Sequence, residues 1–345
     1  MSLTRILLLL LCTGLTGCGQ AGYFAQAAKG QWDIISGREE IQQLLDDHQL
    51  DSDLRLQLGR VRDIREFASR QLHLPDNMSY RYYSETGRPY VVWNVVATPR
   101  YQLSPKTWCF PFTGCVAYKG YFAEIEASAL NNKLIDEGYD TFLYGVSAYS
   151  TLGWFSDPVL DTFVNYTEES LAELIFHELA HQVVYVKDDS GFNEAFATAV
   201  GERGLHAWMK YQHPDQDIDA LIEKNQRNAK ITDLILEYRD QLATAYERET
   251  KSNLERVKND IFSEMKRGYA DIQQSGQGTP YYDWWFSLDL NNAHLSSVST
   301  YHRLVPGFKK ILDEAGSFES FYSLVEEQAN RPQEEREAWL LGIAE

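Results

Sequence analysis

Basic residues, cysteines and long apolar runs are all scarce in this chain. Lysine and arginine total 32 against 50 aspartates and glutamates, a formal net charge of −18 with histidine neutral. A chain so short of cations is ill suited to gripping phosphates, so no nucleic-acid partner is expected. Four cysteines in 345 residues exclude a disulfide-dense scaffold, and 10 prolines with 22 glycines exclude a collagen-like or low-complexity polymer. Beyond residue 20 no apolar run approaches the roughly 18 residues of a membrane-spanning helix, so none is expected. What is there is a chain 44% hydrophobic, long enough to bury a substantial core as one large domain or two modest ones.

The few cysteines are informative by position. The chain opens Met1-Ser-Leu-Thr-Arg5, runs apolar from Ile6 to Leu11, and reaches Leu15-Thr16-Gly17-Cys18. A positive start, an apolar stretch too short to span a bilayer and small residues before a cut site describe a secretory signal over residues 1–17. Leu15 to Cys18 resembles a bacterial lipobox, which implies that Cys12 leaves with the signal and Cys18 takes a lipid at the new N-terminus. Gly19 in the next position implies the outer membrane, with the protein facing the periplasm; the acyl chains would anchor it to the membrane without spanning. Cys109 and Cys115 remain, in Trp108-Cys-Phe-Pro-Phe-Thr-Gly-Cys115. In an exported protein that spacing across Pro and Gly reads as a small disulfide-closed loop. A zinc pair is the alternative, although no second Cys/Cys or Cys/His pair sits nearby to complete four ligands.

The mature chain divides into an N-terminal helical segment (18–75), a mixed core (76–211) and a mostly helical C-terminal part (212–345). Leu54, Leu58, Val61, Ile64, Phe67 and Ala68 recur at helical spacing before Pro75-Asp-Asn77 ends the pattern. Strand-like runs follow over 90–97, 115–122 and 141–149, with a helix from Ala123 to Glu137 between the last two. Thr167-Glu-Glu-Ser170 is a helix start, predicted to run to about Val186, and a turn at Asp188 to Gly191 leads into a second helix from about Asn193 to Met209. Leu254, Val257, Ile261 and Met265 mark the face of a long amphipathic helix further on. The order predicts an α+β fold.

His177-Glu178-Leu-Ala-His181 lies on the first of the two central helices. Residues i and i+4 share a helix face, so both imidazoles can reach one metal ion, and Glu178 can reach a water there without being a ligand. That pattern offers a Lewis acid, a water of lowered pKa and a base for its proton. Two surface histidines would explain the pattern more simply, but Leu171, Leu174, Ile175, Phe176, Leu179, Val183 and Val184 make the helix apolar nearly all round. Polar groups in a buried helix are costly unless a metal or a network satisfies them. A third ligand is needed, and Glu194, an acid at the start of an otherwise apolar helix, supplies one. A first-turn glutamate favourable to the helix dipole is its other reading.

At this point the residues resemble a bacterial family of exported proteins, the putative aminopeptidases of the zincin type. The likeness runs from about Leu72 to Met209 through Leu74-Pro-Asp-Asn77, Arg88-Pro-Tyr-Val-Val-Trp-Asn-Val-Val-Ala97, Ala148-Tyr-Ser-Thr-Leu-Gly-Trp-Phe155, Leu174-Ile-Phe-His-Glu-Leu-Ala-His-Gln182 and Phe192-Asn-Glu-Ala-Phe-Ala-Thr198. It continues weakly at Leu290-Asn-Asn-Ala293 and Ser299-Thr-Tyr-His302. The resemblance implies a zincin-like, gluzincin-like core. It implies one zinc ion on His177, His181 and Glu194, Glu178 as general base, and an oxyanion donor from downstream, for which Tyr301 and His302 are the candidates. Thr198 stands where the thermolysin type has an aspartate supporting a ligand histidine, which leaves Asn193 or Glu202 for that duty. No Gly-x-Met-Glu-Asn string occurs to hold a substrate amine.

The expectation is therefore a lipid-anchored zinc peptidase, an aminopeptidase or else an envelope endopeptidase, acting on a peptide or protein laid along a strand. A non-catalytic envelope lipoprotein docking partners through its C-terminal helices and the 281–286 aromatic cluster is the reading from another class.

Overall fold

The computed structural model describes residues 17–110, 114–215 and 217–344. The expected signal segment before Gly17 and the side chain of Cys18 lie outside the described residues. Helix α1 spans Gly17–Ser36, strand β1 Glu39–Glu40, and helices α2 and α3 cover Ile41–Asp46 and Ser52–Gln71. Asp51 starts α3 by accepting from the backbone N–H groups of Asp53 and Leu54. The face Leu58, Val61, Ile64, Phe67 and Ala68 is buried, as its spacing predicts. Arg65 is buried with it because its guanidinium donates to the carbonyls of Pro75, Asn77 and Ser79, which fixes the loop after α3.

Strands β2 (Tyr82–Ser84), β3 (Val92–Pro99), β4 (Trp108–Phe110), β5 (Gly114–Val116) and β6 (Tyr118–Tyr121) follow, then helix α4 (Glu124–Asp136) and strands β7 (Tyr139–Val146) and β8 (Val159–Leu160). β3 is the middle strand of its sheet, antiparallel to both β6 and β7, with Asn94 opposite Gly120 and Tyr144. It is covered on both faces, which is why its sequence is nearly continuously apolar instead of alternating. Ala127 and Leu134 of α4 pack on Val95 and Ala97, while Ala293 packs on Val96 and Phe142 from the other side. β2 pairs antiparallel with β1 and parallel with β8, and β4 pairs with β5 so that Cys109 faces Cys115. Those two cysteines form a disulfide, which settles the alternative of a zinc pair.

The rest is helical: α5 (Glu168–Ala180), α6 (Ser190–Gln212), α7 (Asp219–Arg248), α8 (Leu254–Gln274), α9 (Pro280–Ser287), α10 (Asn292–His302), α11 (Val305–Ala315), α12 (Phe318–Ala329) and α13 (Gln333–Ala344). The fold is α+β with helix predominant. Helix α5 stops at Ala180, with His181 as its C-cap, short of the expected end near Val186. Val183, Val184 and Val186 favour extended backbone, and the Asn193 carboxamide bonds both the N–H and the carbonyl of Val186, holding that residue outside the helix. Helix α8 also differs from expectation. Its buried face is Leu254, Lys258, Phe262, Met265, Tyr269 and Ile272, so Val257 and Ile261 are only half-buried. The rotation follows from a buried ion pair between Lys258 and Asp140 of β7.

The largest core draws on all three segments expected from the sequence, joining α3, α5 and α6 to α11, α12 and α13. A second core lies among α7, α8, α9 and α10. Among the described residues no helix is long and apolar enough to cross a membrane.

Candidate active site

Thr167 caps α5 by accepting from the Ser170 N–H, and Asp189 caps α6 by accepting from the Phe192 N–H. The two helices lie close because α6 offers glycines to α5. A Cβ on Gly201 would meet the Glu173 carbonyl oxygen at 3.0 Å and the His177 Cβ at 3.3 Å, and one on Gly204 would meet Phe176 at 2.8 Å. The helix period then turns His177 and His181 to one side, with their Nε2 atoms 3.2 Å apart. Glu194, in the first turns of α6, brings Oε2 to 3.3 Å from His177 Nε2 and 3.5 Å from His181 Nε2. These three side chains form a group able to hold a metal ion.

Two imidazole nitrogens and a carboxylate oxygen at such separations are at ease only with a proton or a cation between them. The electrostatics agree. Burial opposes ionisation of Glu194, but His181 and His177 outweigh it and hold the carboxyl down at about 2. Burial disfavours a charged His181, yet Glu194 and Glu178 push its pKa up. Glu178 has its pKa raised by burial, against the pull of His177 and His181.

The link between the helices is held from three directions. The Cys115 N–H donates to Asp188 Oδ1 at 2.6 Å from the disulfide hairpin. Gln182 accepts from Asn77 Nδ2 at 2.7 Å, which ties His181's neighbour to the loop organised by Arg65. Arg336 of α13 donates twice to Asp189 Oδ2, at 2.6 and 3.2 Å, with both side chains buried. The expected support of a ligand histidine by Asn193 or Glu202 is not what forms. Asn193 is committed to Val186 and Glu202 to Lys309, while His181 Nδ1 is buried without a hydrogen-bond partner among the described residues.

A cavity of about 1230 Å³ opens over His177, Glu178, His181 and Glu194. Its walls are mostly apolar, with many tyrosines among them, and no lysine, arginine or aspartate lines it among the described residues. Tyr301 lines it from the last turn of α10, which is placed by Asn291 Nδ2 donating to the Thr141 carbonyl of β7. His302 is not on the cavity wall; its charged surroundings are Glu202, Lys309 and His177, and burial lowers its pKa to about 4. Of the 281–286 aromatics, Tyr282, Trp285 and Phe286 are core, while Tyr281 and Trp284 are exposed and border the cavity. Sequence reasoning missed two wall residues. Tyr118 on β6 is a phenol whose pKa burial pushes well up, and Glu173 stands one turn before His177. Spacing on α5 could have found Glu173; nothing local marks Tyr118.

No curated protein and no solved structure matches this chain. A family profile described as Putative aminopeptidase matches residues 22–340, so the chain belongs to that family, whose description names a peptidase activity.

Proposed function

We propose that the protein is a zinc-dependent aminopeptidase with a zincin-like core, His177, His181 and Glu194 holding the ion and Glu178 acting as general base. One observation carries the reading. Ligands roughly 2.0–2.1 Å from a tetrahedral zinc lie about 3.4 Å from one another, and the three separations here are 3.2, 3.3 and 3.5 Å. A bound zinc ion supplies a Lewis acid that polarises the peptide carbonyl and acidifies water. Glu178, buried at the cavity floor with a raised pKa, takes the proton of the attacking water and passes it to the leaving amine. Tyr301, whose pKa burial raises well above that of a free phenol, keeps its proton and donates to the developing oxyanion. Tyr118 offers a second phenol on the same cavity.

Anchoring through a lipid on Cys18, in the bacterial outer membrane facing the periplasm, completes the proposal and rests on the lipobox at residues 15–18. The test is zinc content and peptide hydrolysis of the wild type, Glu178→Ala and His181→Ala. Glu178→Ala retains zinc and loses at least about a hundredfold in kcat, the scale of general-base contributions, while His181→Ala loses zinc. Full activity in Glu178→Ala overturns the mechanism. Equal cleavage of free and N-acetylated peptides makes the enzyme an endopeptidase.

A further inference from the structure

Three carboxylates line the cavity among the described residues: Glu178, Glu194 and Glu173. In the proposed function Glu194 belongs to the metal group and Glu178 is the base. Glu173 is committed to nothing at contact distance. It makes no hydrogen bond or ion pair among the described residues. Its charged surroundings are Glu202, Lys224, His177 and Lys309, and Lys309 is already paired with Glu202. A half-buried carboxylate on a cavity wall without an ionic partner is unfavourable unless a cation arrives to meet it. No lysine or arginine lines the cavity among the described residues, so away from the metal group an incoming carboxylate meets no cationic side chain. An incoming ammonium finds one.

The spacing also fits. Glu173 and His177 are four residues apart on the same face of α5, about 6 Å along its axis at about 1.5 Å per residue, and Gly201 packs against the base of both. In a peptide the α-nitrogen lies about 2.5 Å from the carbonyl carbon of its own residue. A charge-assisted N–H···O contact spans about 2.8 Å more. An ammonium seated on Glu173 thus leaves that carbonyl at the metal group, and the first side chain meets the aromatic wall formed by residues such as Tyr90, Tyr118 and Tyr166.

We propose that Glu173 is the residue that binds the free α-ammonium of a peptide with an apolar or aromatic first side chain, in place of the absent Gly-x-Met-Glu-Asn string. This rests on the peptidase reading for its purpose but not for its detection. Calorimetry on the zinc-loaded full chain compares L-phenylalaninamide with N-acetyl-L-phenylalaninamide, for the wild type, Glu173→Gln and Glu173→Ala. The wild type binds the free amine at least tenfold more tightly than the acetylated one. Both variants lose that preference, keep the wild-type zinc content, melt no lower than the wild type, and in hydrolysis raise KM far more than they change kcat. Equal binding of the two amides by the wild type, or an undiminished preference in either folded variant, overturns the assignment. A wild type that discriminates by calorimetry but cleaves no peptide retains the Glu173 site and refutes the peptidase reading alone.

Discussion

Replacing Arg336 by methionine would probe how the C-terminal helix holds the site. Arg336 is buried, its Nε and Nη2 donate to Asp189 Oδ2, its Nη1 reaches the carbonyls of Ala329 and Arg331, and its guanidinium lies 5.4 Å from the centre of the Phe192 ring. Methionine of similar length keeps much of the packing but leaves the Asp189 charge buried without a counter-charge, its cap hydrogen bond from the Phe192 N–H remaining. Removing one member of a buried pair costs about 3–5 kcal/mol. Asp189 is also the N-cap of α6, so part of the loss falls on the helix that carries Glu194. Urea unfolding of Arg336→Met should show a loss of that size, and zinc affinity should fall with it. The double variant Asp189→Asn/Arg336→Met removes the stranded charge while retaining a side chain able to cap Phe192. It should recover more than half of the loss. A single variant within about 1 kcal/mol of wild type, or a double variant no better than the single one, would refute the reasoning.

Two further perturbations follow from the same structure. Gly114 has φ +77°, and a Cβ there would lie 2.4 Å from Asp188 Oδ1 and 2.6 Å from Lys187 Cγ. Gly114→Ala should therefore cost at least about 2 kcal/mol by left-handed strain and clash and loosen the link between α5 and α6; an unchanged melting curve would count against the clamp. His294 is buried, accepts the Asn291 N–H on Nδ1 and is held down to about 3 by burial, with Lys266 adding to the effect. The folded state keeps it neutral while the unfolded chain takes up a proton below its ordinary value of about 6.5, so stability is lost as pH falls from there towards 3. Wild type should lose about 1.4 kcal/mol more per pH unit than His294→Asn between pH 6 and pH 4, measured by urea midpoints; parallel slopes would exclude the effect.

Local pattern was enough for the elements that carry the candidate metal group. The helical period places His177 and His181 on one face whatever surrounds them, and the Glu194 helix announces itself by an acid before an apolar run. The covered strand at 92–99 shows as an apolar run, and the Cys109–Cys115 pair follows from its spacing. The end of α5 was not legible, because the hydrogen bonds that stop it come from Asn193, seven residues beyond Val186. The buried face of α8 is not legible either, because Lys258 looks like a solvent residue until Asp140 is brought to it across the fold.

The amino-acid order by itself determined the family, the α+β class, the disulfide and the three residues able to hold a metal, since each is carried by motif spacing or by the order of helical and strand-like runs. Tertiary structure decided the rest. It placed Tyr301 on the cavity and His302 off it, joined Arg336 to the cap of α6 across 147 residues, and left Glu173 as the uncommitted carboxylate beside the metal group. The physical reason is that a charge or phenol acquires its role from what is packed around it, and burial and counter-charges arriving from distant segments have no local signature.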